Sequence, residues 1–300
     1  MTVSNINYQI SNIPPLLVLV GETASGKSSV AIKIAQKIDG EIICADSRTV
    51  YKKLDIGTAK PSKKEQQLVP HHLLDMVEPN ENFTVAQFQK FANKCIQEIA
   101  KRGKIPIMVG GSGLYIDSVL YNFQFTTQAD DSYRNELEQM SDEKLTTLLN
   151  TKDINKETLN TKNRRHVIRS IERGKEPPID NVLRDNTLVL GLTLEREVLR
   201  KRVEARVEQM FKDGLIEETK QAVELFGWDN VAFSGAGYQA VKEYLSRAIS
   251  EAELKQALVR RDMSLAKRQR TWFKRNQNIK WFNASDDLSN VAINTTFTHC

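Results

Sequence analysis

Four residues near the start of the chain are spaced for holding phosphate. Gly21, Gly26, Lys27 and Ser28, in the run GETASGKS, fit the pattern G-x-x-x-x-G-K-[ST]. The glycines let the backbone turn tightly enough for successive N–H groups to face inward. A helix behind them would point its positive end at an anion, and Lys27 adds a mobile charge. The whole loop, Gly21, Glu22, Thr23, Ala24, Ser25, Gly26, Lys27 and Ser28, is therefore a candidate phosphate cradle, with the Ser28 hydroxyl offered to Mg²⁺. A diphosphate leaving group suits such a cradle as well as ATP does. A second reactive group is Asp46, in the stretch ADSRTVY at 45–51. By spacing alone it is either a general base or the cap of a following helix, since Asp-Ser caps well.

The elements that must position these groups are legible around them. Leu16 to Val20 is an apolar run that reads as a buried strand, and Val30, Ile34 and Ile38 mark a helix after the cradle. EIICA at 41–45 and IPIMV at 105–109 read as two further strands, ending in Asp46-Ser47 and in Gly110-Gly111-Ser112-Gly113. The helix before the second of these has a Thr84/Gln87 capping box and a stripe of Val85, Phe88, Ala92, Cys95, Ile96 and Ile99, and Gly103 stops it. Strands alternating with helices argue for a parallel sheet, whose ligands bind beyond the carboxyl ends of the strands. The cradle, Asp46-Ser47 and the GGSG turn are thus expected to converge.

From Asn122 to about Asp185 the pattern becomes short, polar and helical, broken at Asn150, Asn155, Asn160, Asn163 and Pro177-Pro178. TLVLGLTL at 187–194 returns to the sheet, and two helices parted at Asp213-Gly214 follow. A Gly-rich turn at Ser234 to Tyr238 should lead into a short helix. The last long helix opens on a Ser250/Glu253 capping box, with Leu254, Leu258, Leu265 and Trp272 on one face and Arg260, Lys267 and Lys274 on the other. Lys280 to Asn283 reads as a final strand and the remainder to Cys300 as a loose tail. Trp272 and Trp281 read as packing residues. The fold class expected is α/β: a P-loop NTPase-like parallel-sheet core built from 1–121 and 187–300, C-terminal helices included, around a helical insertion at 122–186.

Composition bounds the partners. The 300 residues carry a net charge of +5, concentrated at 162–175 (KNRRHVIRSIERGK) and 260–275 (RRDMSLAKRQRTWFKR). Such clusters fit a polyanion as well as a solvated helix face. No apolar run reaches the roughly 20 residues needed to cross a bilayer, and MTVSNINYQISN is not an export signal, so a cytoplasmic protein without a membrane partner is expected, as a monomer. Three widely spaced cysteines without a CxxC pair indicate neither a disulfide framework nor a zinc site. His71-His72 reads as structural, because neighbouring side chains point apart. An NTP-hydrolysing motor or switch would place an acid at the end of a later strand, where this chain has Gly110-Gly111.

GETASGKS at 21–28, ADSRTVY at 45–51, DIGTAKPS at 55–62, PHHLLD at 70–75 and VGGSGLY at 109–115 resemble the motifs of the bacterial-type tRNA dimethylallyltransferases. NRRHVIRSIERGK at 163–175, RVEARVEQM at 202–210, GAGYQ at 235–239 and KRQRTWFKRN at 267–276 continue the match in order. The resemblance implies transfer of the dimethylallyl group of dimethylallyl diphosphate to N6 of the adenine just 3′ to the anticodon, releasing diphosphate with Mg²⁺ present. It implies that residues 21–28 bind the diphosphate, with Thr23, Lys27, Ser28 and Arg206 as side-chain ligands, and that Asp46 is the base that accepts the N6 proton.

It further implies that the anticodon stem-loop of tRNA is the partner and that the adenine is flipped out of its loop. By the same resemblance the RNA meets Asp46, Ser47, Arg48, Thr49, Ser112 and Arg134, the run Arg165, His166, Val167, Ile168 and Arg169, and the run Ser234, Gly235, Ala236, Gly237, Tyr238 and Gln239. The run Lys267, Arg268, Gln269, Arg270, Thr271, Trp272, Phe273 and Lys274 completes the set. Glu22 departs from the family's usual proline, setting a negative charge beside an anion site, and His166 stands where arginine is common. The rivals are a small-molecule kinase, a binding module with a relic P-loop, and an adenylate isopentenyltransferase using free AMP or ADP.

Overall fold

A computed structural model describes residues 13–125, 131–151, 161, 163–173 and 182–284. The expected breaks at Asn155, Asn160 and Pro177-Pro178, Lys162, Gly174 and Lys175 of the first basic cluster, the leading segment to residue 12 and the tail to Cys300 lie outside them. The chain divides into two compact units, Met1–Leu120 with Leu183–Cys300, and Tyr121–Val182.

In chain order the first unit runs β1 (Leu16–Gly21), α1 (Lys27–Lys37), β2 (Gly40–Ala45), α2 (Lys63–Leu68), β3 (His71–His72), α3 (Val85–Lys101), β4 (Ile105–Gly110) and α4 (Gly113–Leu120). The second unit contains α5 (Asp131–Gln139), α6 (Asp142–Thr151) and α7 (Arg164–Arg173). The chain then completes the first unit with β5 (Thr187–Thr193), α8 (Arg196–Lys212), α9 (Leu215–Phe226), a 3-10 turn at Val231–Phe233, α10 (Ala236–Leu245), α11 (Glu251–Phe273) and β6 (Ile279–Asn283).

The six strands form one sheet in the order β3-β2-β4-β1-β5-β6, every pair parallel. Leu16 to Val20 are almost fully buried because helices cover both faces. Leu17 and Leu19 pack with Ala31, Ile34 and Ala35 of α1, while the alternation of a strand turns Val18 and Val20 to the other face. Each such side chain contributes about 1.5–3 kcal/mol of burial. The chain leaves β1 toward β2 and β4 on one side and returns as β5 and β6 on the other. The strand order thus reverses at β1, which puts the ligand crevice at its carboxyl end, where the cradle lies.

Local signals position the helices. Both expected capping boxes form, Thr84 with Gln87 and Ser250 with Glu253, and a further one at Ser62 with Glu65 opens α2. Two expectations differ from the structure, and one strand goes unread. The edge strand β3 is two residues long and has no period to read. The Gly-rich turn shrinks to Ser234-Gly235, because Gly235 is the extended N-cap of α10 and Ala236-Gly237-Tyr238 is already helix; a Cβ at Gly237 would displace the Arg261 guanidinium. The buried stripe of α11 is Leu254, Leu258, Asp262, Ala266, Gln269 and Phe273, not the expected one through Leu265 and Trp272. A stripe read for apolar residues alone drifts off the face when polar residues are what the core receives.

The second unit has its own small core of Leu137, Leu145, Leu149, Val167, Ile168 and Ile171. Within it Arg164 donates to Asp142 and to the carbonyls of Glu138 and Met140, tying α7 to the α5–α6 corner.

Candidate active site

The cradle is shaped by close backbone approach. Gly21 has φ +152°, and a Cβ there would meet the Leu192 carbonyl of β5; Gly26, at φ +93°, is the left-handed N-cap of α1. Ser25 N–H donates to the Glu22 carbonyl at 3.2 Å, closing the first turn. Ser25 is fully buried, and its Oγ has no hydrogen-bond partner among the described residues.

Lys27 reaches back across the loop, its Nζ donating to the Glu22 carbonyl at 2.6 Å. Burial pushes its pKa down to about 8, opposed by the nearby Asp46 charge and reinforced by Arg206. Arg206, on α8, donates from a terminal nitrogen to Thr23 Oγ1 at 2.8 Å, and its buried Nε has no partner among the described residues. One helical turn earlier Arg202 donates to the Ser25 carbonyl at 3.0 Å. Sequence reading missed Arg202, although its i, i+4 spacing from Arg206 on the same helix was available as a signal.

The other two post-strand loops are fastened to each other. Ser47 N–H donates to Ser112 Oγ at 2.9 Å, and Ser112 N–H donates to the Ala45 carbonyl at 3.3 Å. Gly110 allows this, since a Cβ there would overlap that carbonyl. Asp46 Oδ1 accepts the Arg48 N–H at 2.8 Å, closing a turn and not capping a helix. Its Oδ2 has no partner among the described residues. The arrangement leaves a carboxylate near Lys27, with Arg202 and Arg206 bonded to a loop whose Gly21, Glu22 and Ser25 are buried. Thr49 is buried, and Arg48 crosses to the Val231 carbonyl at 3.0 Å beside Gly235.

The segment after Asp46 is locked from behind. Lys60 Nζ, almost fully buried, donates to the Tyr51 carbonyl at 2.9 Å, to Asp55 at 2.5 Å and to Asp75 at 2.6 Å. The Glu218 carboxylate of α9 accepts the N–H groups of Asp55, Ile56 and Gly57 at 2.7, 2.7 and 2.9 Å. His72 Nε2 lies 2.7 Å from Glu41 Oε2, which also accepts from Arg102, so His72 ties β3 to β2, while His71 Nδ1 lies 2.7 Å from the Val69 carbonyl.

The residues expected to meet RNA divide into outward and inward sets. Lys267, Arg268, Thr271 and Lys274 are exposed on α11, and Ser234 and Gln239 on the α10 approach. Arg165, His166 and Arg169 are exposed on α7 of the second unit, where Arg134 lies 3.3 Å from Glu138 and 3.8 Å from Glu172. The side chains of Val167, Ile168, Tyr238 and Phe273 are buried in cores and cannot present themselves to a partner. Gln269 and Arg270 point inward as well: Gln269 accepts the Thr23 N–H at 2.7 Å and donates to the Gly111 carbonyl at 3.1 Å, and Arg270 pairs with Glu22. Trp272 is 38% exposed, sits against Gly113 and donates from Nε1 to Asp117 at 2.7 Å. Burial raises Asp117 to about 6, with that bond opposing.

Residues 49–276 match the family model for IPP transferase. The chain belongs to the IPP transferase family. The cradle lies ahead of the matched stretch, and full-length relatives cover it. The tRNA dimethylallyltransferase of Anoxybacillus flavithermus is 41% identical over 91% of this chain and 91% of its own length. Acetivibrio thermocellus supplies a tRNA dimethylallyltransferase that is 40% identical over 93% and 94%. The crystal structure of the full-length tRNA isopentenylpyrophosphate transferase from Bacillus halodurans superposes with a TM-score of 0.70 at 36% identity over 90% of both chains. A eukaryotic dimethylallyltransferase acting on tRNA superposes at 0.80 with 27% identity over 94% of this chain and 76% of its own. The IPP transferase fold is therefore the α/β parallel-sheet architecture described above. Among the described residues no helix is long and apolar enough to cross a membrane.

Proposed function

We propose that this IPP transferase moves the dimethylallyl group from dimethylallyl diphosphate to N6 of the adenine immediately 3′ to the anticodon of tRNA, releasing diphosphate, as a cytoplasmic monomer. The observation that carries the reading is a pair of buried polar atoms without partners among the described residues, Ser25 Oγ in the cradle and Arg206 Nε on α8 beside it, next to a loop whose lysine and following helix favour an anion. A diphosphate seated there supplies the missing acceptors. Breaking the allylic C–O bond leaves negative charge on the diphosphate, and in this reading Lys27, Arg206 and Thr23 hold it; this electrostatic stabilisation is the larger part of the catalysis.

The acceptor is an aromatic amine and a poor nucleophile, so Asp46 Oδ2 takes the N6 proton as nitrogen bonds to carbon. The residues present fit Mg²⁺ in one way: Ser28 would hold it by its hydroxyl, diphosphate oxygens and water supplying the rest, and the ion would neutralise charge on the leaving group. No group of three or more His, Cys, Asp or Glu side chains able to hold a metal occurs among the described residues, so most of the shell falls to the substrate. The exposed Lys267, Arg268 and Lys274, with Arg165 and Arg169, are the proposed phosphate contacts that give RNA affinity.

The test is to offer labelled dimethylallyl diphosphate and Mg²⁺ with unmodified tRNA, with free AMP, or with no acceptor. Label moving to tRNA alone is the expected outcome. Label on AMP refutes the acceptor, and tRNA binding without turnover refutes the enzyme.

A further inference from the structure

Glu22 is the cradle residue whose charge opposes an anion, yet it is only 2% exposed. Its carboxylate does not face the loop alone. Arg270 of α11 grips it with two nitrogens, Nε on Oε1 and a terminal nitrogen on Oε2 at 3.0 Å, and that terminal nitrogen also donates to the Leu194 carbonyl at 2.9 Å. The adjacent Gln269 bonds the N–H of the next cradle residue, Thr23, and the Gly111 carbonyl. Two neighbouring residues of α11 therefore hold two successive residues of the cradle, and the carbonyl of the first of these is the one to which Lys27 Nζ donates.

We propose that Glu22 and Arg270 are a matched pair of positioning residues for diphosphate binding. Arg270 cancels the Glu22 charge and fixes the first turn of the cradle, so that Lys27 and the amides meet the ligand in register. Arg270 thereby belongs to the donor side of the reaction and not to the RNA surface. A buried carboxylate stripped of its partner is an uncompensated charge, and here it would stand beside the incoming anion. The pair rests on the reading of the cradle as the diphosphate site.

The test is a double-mutant cycle in the transfer assay, with donor and tRNA varied separately and folding checked by thermal melting. Arg270→Met is expected to raise the donor KM about tenfold or more while the tRNA KM changes less than about threefold. Adding Glu22→Gln to Arg270→Met removes the stranded charge and should recover most of that loss. If Arg270→Met does not fold, Arg270→Lys takes its place; it keeps the charge but not the two-pronged grip, and must raise the donor KM selectively. A tRNA KM that rises instead, or a double variant no better than the single one, overturns the proposal. Lys27→Ala run alongside separates the levels: normal donor kinetics there would sink the cradle reading itself. A weakened Lys27→Ala without coupling between Glu22 and Arg270 would sink the pair alone.

Discussion

Donor binding should weaken as the pH rises through 8, and the size of the effect follows from Lys27. Its ammonium is held at a pKa of about 8 in the free protein because burial costs more than the Asp46 charge returns. A bound diphosphate adds negative charge beside the ammonium and raises that pKa, so the complex keeps the proton that the free protein loses. The favourable charge is present below the free-protein pKa and is lost above it. The apparent dissociation constant then scales as one plus the ratio of neutral to charged lysine: about 1.1 times its limiting value at pH 7, about 2 times at pH 8 and about 11 times at pH 9. The last ionisation of a phosphate group, near pH 6, is about nine-tenths complete at pH 7 and changes little above it. Isothermal titration with an unreactive donor analogue, in two buffers of different ionisation enthalpy, would measure both the affinity and the proton taken up. Lys27→Met should bind weakly at every pH and take up no proton. A flat wild-type profile between pH 7 and 9, or the same slope in Lys27→Met, would refute the reasoning.

Other consequences are open to direct measurement. Asp46→Asn keeps an acceptor for the Arg48 N–H but cannot take a proton, so single-turnover transfer should fall by about 10²–10⁴ while tRNA binding in a filter assay persists; unchanged turnover would remove Asp46 as the base. Gly110→Ala forces a Cβ into the Ala45 carbonyl and should cost about 1–3 kcal/mol in urea unfolding, as well as loosening the Ser47–Ser112 link. An unaltered midpoint would show that the two loops can part freely. Lys60→Met strands Asp55 and Asp75; both are partly exposed, so the expected loss is about 1–3 kcal/mol and not the larger figure for a fully buried pair.

Much of the architecture was legible because its signals are local. The apolar runs of β1, β2, β4 and β5, the capping boxes of α3 and α11, and the glycines of the cradle each sit within a few residues of what they specify. The partners of the site are not local. The sequence shows Glu22 only as a negative charge beside an anion site, because its partner Arg270 is 248 positions away. Gln269 and Arg270 are RNA contacts only by the resemblance of their segment, and packing of α11 against the loops turns them inward. Tyr238 was assigned with its glycine-rich neighbours for similar reasons; its burial beside Phe233 and Gly57 depends on where α10 is docked.

Glu218 and the loop at Asp55 to Gly57 carry one last implication. Three consecutive backbone donors turned toward a single point are an attractive resting place for any stray phosphate, whether from nucleotide, prenyl donor or RNA. By filling that concavity with a carboxylate of its own, the polypeptide removes a decoy within a segment continuous with its own reaction centre. Glu218→Ala, which leaves the three donors unpaired and the concavity empty, should therefore turn inorganic phosphate from a bystander into a ligand of that loop.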